Sequence, residues 1–435
     1  MRTAFTQLQL ADPETRHSAE ILRHCVECGT CQPTCPSFVV LNNEDDSPRG
    51  RNVLIRDMLQ SGAPPDAATV THIDRCLSCS ACVSACMAGV DFMHLVDHAR
   101  AHIEATYRRP WPERALRALV SRTVTNPGLF RLAIRGAAFV RPFAALLPPP
   151  LRAMIELAPR HAAPESPVDR PQVLAAEGPR RYRVAMLTGC AQRALDPSIN
   201  EATVRLLRRH GCEVVIAPGA ACCGALPYHM GRRAEAKALA RANVRAWSAV
   251  LDEGGLDAVI VNASGCGTTV KDYGHIFGDD AAMAGPARRI AGLAKDVSEF
   301  LDAIGLRRSS LDASLAVAYH APCSLQHAQK VRQPPRRLLA AAGFRVIEIP
   351  EGHLCCGSAG TYNLLQPEVS GKLRARKLAN IDRVRPDVVA TSNIGCMAQL
   401  AGGAKMPVLH VVQLLDWATG GPAPAGILPR AAAAE

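Results

Sequence analysis

The chain has 435 residues, of which 48% are hydrophobic, 20% charged and only 4% aromatic; this suits two or three globular domains and excludes a disordered or fibrous protein. A formal net charge of +11 invites an acidic partner, but the arginines are dispersed and aromatics for base stacking are scarce. Nucleic acid is therefore set aside in favour of an acidic protein surface or an anionic membrane face.

Residues 1–24 contain no apolar leader, so the seventeen cysteines are expected to meet a reducing cytoplasm, where clustered thiols bind metal rather than pair as disulfides. Eight of them fall in two runs within 1–107. The first, CVECGTCQPTCP, spans 25–36; the second, CLSCSACVSACMAGV, spans 76–90. Both follow the spacing C-x2-C-x2-C-x3-C of an iron–sulfur cubane site, in which one tight loop reaches three irons. In two-cluster ferredoxins the fourth cysteine of each run crosses to the other cluster. Applied here, one [4Fe-4S] cluster takes Cys25, Cys28, Cys31 and Cys86, and the other takes Cys76, Cys79, Cys82 and Cys35. Small residues between ligands (Gly29, Thr30, Ser80, Ala81) let backbone N–H groups approach the sulfides. Structural zinc also uses C-x2-C pairs, but two complete runs in one short domain favour iron–sulfur. Met87 stands where proline usually follows the fourth cysteine; Gly89 is expected to supply the turn, leaving ligation intact. PRGR at 48–51 reads as a docking turn or a helix start.

Residues 108–181 hold no cysteine. RRPWPERALRALV to the proline cluster at 147–150 predicts short basic amphipathic helices packed on the cluster domain, with attachment to a membrane surface as the alternative. No apolar run approaches the length of a membrane span. Residues 163–181 read as an extended linker.

A duplication follows. Cys190, Cys222-Cys223-Gly224 and Cys266 recur as Cys323, Cys355-Cys356-Gly357 and Cys396, at offsets of 133, 133 and 130 residues. Each copy (182–311 and 312–435) alternates strand-like and helix-like stretches, predicting two small parallel α/β domains with cysteines just past strand ends. Gly224 and Gly357 are expected to bend the chain so that adjacent cysteines point to one site. Each set of four holds a further cluster or zinc, or is buried and unliganded. Cys212, aligned with Arg345, is structural. His229, Tyr228, His320, His327 and His353 are candidates for proton handling or for packing.

The motifs CVECGTCQPTCP, SPRGRN, LTGCAQ, CCGALPYH, ASGCGTTVKDYG, CSLQHAQK, HLCCGSAGTYN and NIGC make the chain similar to the iron–sulfur subunits of glycolate oxidase (glycolate dehydrogenase), over nearly its whole length. The resemblance places it in the CCG-domain group related to heterodisulfide reductases. It implies a complex with a flavoprotein dehydrogenase subunit and a second related subunit, oxidising glycolate to glyoxylate. It carries cluster ligation over to all eight N-terminal cysteines. Heterodisulfide reductases end the motif in C-x2-C; Thr269 and Gln399 stand there instead, against disulfide chemistry.

No G-x-G-x-x-G or P-loop is present, so neither flavin nor NAD is expected on this chain, and no catalytic residue is assigned. The expectation is an electron-transfer subunit that relays electrons from a partner flavin to a quinone or other respiratory acceptor, in the cytoplasm or peripherally on the inner membrane face. The alternatives are a CCG-type catalytic subunit of a disulfide or quinone reductase, or a scaffold for a lactate or glycerol-3-phosphate dehydrogenase. The fold class expected is α+β: a helical ferredoxin-like domain (1–107), a helical, Pro-rich connector (108–181) and two duplicated parallel α/β CCG domains.

Overall fold

The computed structural model describes residues 1–148, 151–152, 154–155, 158–309, 311 and 315–427. Helices dominate the N-terminal region. Pro13–His24, Pro48–Ser61, Ala67–Asp74 and Phe92–Thr106 surround the two cysteine loops, and their apolar faces meet through Leu22, Ile55, Ile73, Leu95 and Ile103, all fully buried. The helix starts are set locally: Asp12, Ser47 and Asp66 each accept a backbone N–H of the first turn.

Two basic helices follow, Trp111–Thr125 and Pro127–Val140, as the sequence predicts; residues 149 and 150 of the proline cluster lie outside the described residues. Their packing differs from the expectation. Arg109 does bind Asp74 of the cluster region at 2.6 Å. Beyond it, however, the contacts run to the first repeat: Arg117 donates to the Met230 carbonyl, Ser121 to Glu235 and Arg131 to the Arg193 carbonyl. The stretch read as an extended linker also contributes a strand, β1 (Gln172–Leu174), which pairs antiparallel on the edge of the first sheet.

The two α/β units repeat one plan. In the first, β2 (Tyr182–Leu187), β3 (Cys212–Ile216), β4 (Ala258–Val261) and β5 (Ala294–Asp296) are parallel, in the order β1-β3-β2-β4-β5. In the second, β6 (Ala316–His320), β7 (Arg345–Glu348), β8 (Val388–Thr391) and β9 (Val408–His410) give β7-β6-β8-β9, also parallel. Strands β4, β6 and β8 are fully buried and largely apolar, as expected for sheets covered on both faces. The units share a core in which helix Ser198–Arg209 packs on helix Val411–Ala418, with buried Asp416 accepting from Arg205. The C-terminal ends of β4 and β8 face each other: the Ser264 N–H donates to the Ser392 carbonyl at 3.2 Å. Both cysteine sets are thereby brought to one region.

Candidate functional site

The two N-terminal loops wrap in the same way. Glu27 and Gly29 in the first and Ser78 and Ser80 in the second have positive φ, at matching positions relative to the leading cysteine. Left-handed residues at alternate positions turn successive N–H groups toward one centre, a shape that suits an anion. Each non-glycine held there costs about 1 kcal/mol or more, a strain found where the surroundings over-determine the loop.

Cys25, Cys28, Cys31 and Cys86 line one small pocket together with Cys82. Burial pushes the Cys31 thiol up to about 11, with thiolates at Cys25, Cys86 and Cys35 adding to the shift. Burial likewise raises Cys82, and its neighbouring thiolates include Cys79, Cys76 and Cys35. Each loop thus has three of its own cysteines close to the fourth cysteine of the other. Such sets of soft donors, crowded by burial and mutual repulsion as free thiols, fit a metal cluster that takes up their charge. Met87 itself is 87% exposed, and the turn after Cys86 is made by Gly89 at φ +67°.

SPRGRN holds residues that sequence reasoning missed. Ser47 caps the helix and Pro48 opens it, so Arg51 and Asn52 fall one turn inside, facing the cysteines. Asn52 Nδ2 donates to Cys25 Sγ at 3.3 Å. Arg51, 1% exposed, approaches Cys35 Sγ at 3.8 Å and binds Ser37 Oγ and Asp46 Oδ1. Burial works against its charge, yet the Cys76 and Cys35 thiolates and Asp46 more than offset this. Adjacent residues of one helix therefore address the two cysteine sets separately.

In each repeat the four cysteines converge. Hydrogen bonds from Cys190 and then Cys223 hold Cys222 well below the usual thiol range, and Cys266 bonds Cys223. In the second repeat Cys323 and Cys355 are 3.8 Å apart; Cys323 and Cys356 hold Cys355 low in the same way. Gly224 and Gly357 have φ of +86° and +90°, and a Cβ there would lie 2.8 Å from the Ala236 carbonyl oxygen or 2.6 Å from that of Ser370. Glycine is required at both bends.

The repeats are not equivalent. His320 joins Cys356 and Cys396, with one potential ligand atom from each lying within 4.8 Å of the others, and its Nε2 is buried without a partner. Hydrogen bonds from Cys356 and then His320 bring Cys396 down to about 5. Leu187 occupies the matching place in the first repeat. Gln399, at the missing cysteine position, ties the Cys356 carbonyl to Ser370 Oγ instead. Cys212 is buried in β3, its thiol pushed up to about 12 by burial. His327 is held between Ser84 Oγ and the His353 carbonyl, a packing role. His229 Nδ1 bonds buried Asp97 at 3.0 Å.

Cys79 links the two halves of the molecule. It shares an apolar cluster with Leu77, Cys355, Tyr362 and, at its edge, Cys323. Burial raises its thiol, and among the neighbouring thiolates Cys355 adds most to the shift. A cavity of about 620 Å³ opens beside this point and is lined by cysteines of both repeats.

Residues 21–90 match the family "4Fe-4S dicluster domain", and residues 184–271 and 317–401 each match the "Cysteine-rich domain". The chain is 37% identical to the glycolate oxidase iron–sulfur subunit of Escherichia coli, over 96% of its length and 99% of the relative's. It is 31% identical to the probable glycolate oxidase iron–sulfur subunit of Bacillus subtilis, covering 95% of this chain and 97% of the other. Lactate utilization protein A of Geobacillus thermodenitrificans is 27% identical over 54% of this chain and 98% of its own.

Proposed function

Since the chain belongs to the family of glycolate oxidase iron–sulfur subunits, an electron-transfer protein of an oxidoreductase, we propose that it serves a complex oxidising glycolate to glyoxylate. The hydride leaves the 2-hydroxy acid for a flavin on a partner subunit, and its two electrons pass singly through this chain to a respiratory acceptor. A second related subunit completes the complex.

Bound [4Fe-4S] clusters supply reversible one-electron transfer. Cys25, Cys28, Cys31 and Cys86 would hold the first, and Cys76, Cys79, Cys82 and Cys35 the second. Asn52 hydrogen-bonds the first set, and the buried guanidinium of Arg51 favours added negative charge at the second. The observation that carries the relay is Cys79 beside Cys355, buried together in one apolar cluster. The four thiols of each repeat suit a further cluster or a zinc ion. Zinc has no second oxidation state and would end the path, so the reading takes a cluster at Cys323, Cys355, Cys356 and Cys396.

Iron analysis and low-temperature EPR of the intact complex test this. Cys28→Ser and Cys79→Ser should each remove one cluster signal and abolish glycolate-driven acceptor reduction while the complex still assembles. Glycolate oxidation by the purified chain alone would contradict the relay.

A further inference from the structure

The cavity beside Cys355 has walls that the relay does not need. Its floor carries Cys190, Cys223 and Cys266 of one repeat and Cys323, Cys355 and Cys396 of the other. Its roof is the connector: Val120, Phe130, Ile134 and Val140 of the two basic helices face the interior. At about 620 Å³ it is the size of a site for an organic ligand, well beyond a hole for a metal ion.

The roof's outer surface narrows the class of ligand. Twelve large apolar side chains are exposed among the described residues, and eight of them lie between Trp111 and Leu151. Trp111, Leu132 and Phe139 project from the same helices whose other face lines the cavity. Arg114, Arg122 and Arg135 are exposed among them, and no side-chain hydrogen bond or ion pair engages their guanidinium groups among the described residues. Between Glu113 and Glu165 the sequence has eight arginines and one acidic residue, Glu156. Apolar and cationic groups interleaved on one surface suit a lipid–water boundary. A ligand that reaches the thiols under such a roof is one that partitions into lipid.

Two polar groups of the lining suit a ligand that changes between acceptor and donor. His229 has Nδ1 tied to Asp97, which leaves Nε2 with no partner among the described residues. Gln192 spends its Nε2 on Asn200 and Asn262, while its Oε1 is buried with no partner. An imidazole N–H can donate to a carbonyl, and an orphan amide oxygen can accept from a hydroxyl.

We propose that this cavity binds a lipophilic 1,4-quinone, which accepts the relayed electrons at the second repeat's thiol set. The assignment rests on the relay reading. Each turnover adds two electrons, one at a time, from the oxidised 2-hydroxy acid, and two protons, one through His229 and one from water. Both carbonyls become hydroxyls, and the hydroquinone leaves by the roof.

The test uses the intact complex and a short-tailed azidobenzoquinone as photolabel. Label is expected on peptides within 117–140 and 187–192, and an excess of unlabelled quinone should displace it. Ala137→Trp, which places a large ring in the lining, should lower labelling and glycolate-driven quinone reduction at least tenfold. Reduction of a water-soluble dye, which can draw on the exposed Cys28 side, should change less than twofold. Labelling that maps elsewhere, or quinone reduction unchanged by the tryptophan, would overturn the site. Labelling of the cavity in a wild-type complex unable to reduce the dye would support the site and overturn the relay. Because the mapping is done on the wild-type complex, the proposal stands or falls even if the tryptophan variant does not fold.

Discussion

Cys28, in the first run, lies at the surface beside Val26, which is 68% exposed, whereas its counterpart Cys79 is buried against Leu77 and Tyr362. The loops have the same spacing and the same left-handed turns, so the difference arises outside them. The first loop faces outward, while the second is covered by the second repeat, with Tyr362 Oη donating to the Arg75 carbonyl. On the proposed ligation, identical ligand spacings would serve as two different stations, an accessible one and a buried one, and the buried one abuts the next thiols. The surrounding protein supplies a direction that the motif alone lacks.

The comparison breaks most completely at Cys79. Cys79→Ser should reduce glycolate-driven quinone reduction by more than about a hundredfold, since removing a buried ligand leaves the other thiolates uncompensated. The outward-facing signal should survive in EPR. Equal loss from both signals would show that the stations are not separable.

Arg51→Gln should come next. It removes a buried cation from beside Cys35 and leaves Asp46 with Arg75 as its remaining arginine partner. The expected cost is on the order of 3 kcal/mol in stability, with a lower reduction potential for the buried station only. Potentiometric EPR would read this; an equal shift of both stations would mean that Arg51 acts through the whole fold.

A third prediction concerns how the cluster region is held on the first repeat. His94 bonds Asp91 at 2.6 Å and, across the interface, Asp272 at 3.0 Å, and it stacks on His275. Burial opposes its charge, but the bonds to Asp272 and Asp91 bring it up to about 10. A raised folded value means stability that is full below about pH 6.5 and fades as pH climbs through about 10. His94→Ala should cost roughly 2–3 kcal/mol at neutral pH and remove that alkaline component from denaturation curves. A variant with the same alkaline loss would assign it elsewhere.

The smallest effect is expected at Met87. Its side chain touches solvent and Gly89 makes the turn, so Met87→Pro should stay within about 0.5 kcal/mol, or roughly twofold in activity. A larger change in either EPR signal would give the methionine a role in cluster chemistry.

Much of this was legible in sequence because it depends on spacing. The paired runs, the 133-residue repeat, the glycine bends and the strand-end cysteines all follow from local rules. What was not legible depends on burial. PRGR has the look of a surface helix start, since nothing local says that Arg51 will be enclosed by Asp46, Ser37 and Cys35. QVL at 172–174 is too short to stand out as a strand until β3 offers it an edge. His320 reads as one of five candidates for proton handling or packing, and only β8 sets it apart by bringing Cys396 alongside. The connector's choice of the first repeat rests on long arginine side chains reaching carbonyls, which have no periodic signature.

The crossing of the two runs is tested most directly by low-temperature EPR of the intact complex carrying Cys35→Ser. Although Cys35 belongs to the first run, its loss should remove the buried, Arg51-sensitive signal and spare the signal that Cys28→Ser removes. Loss of the Cys28-dependent signal instead would contradict the account.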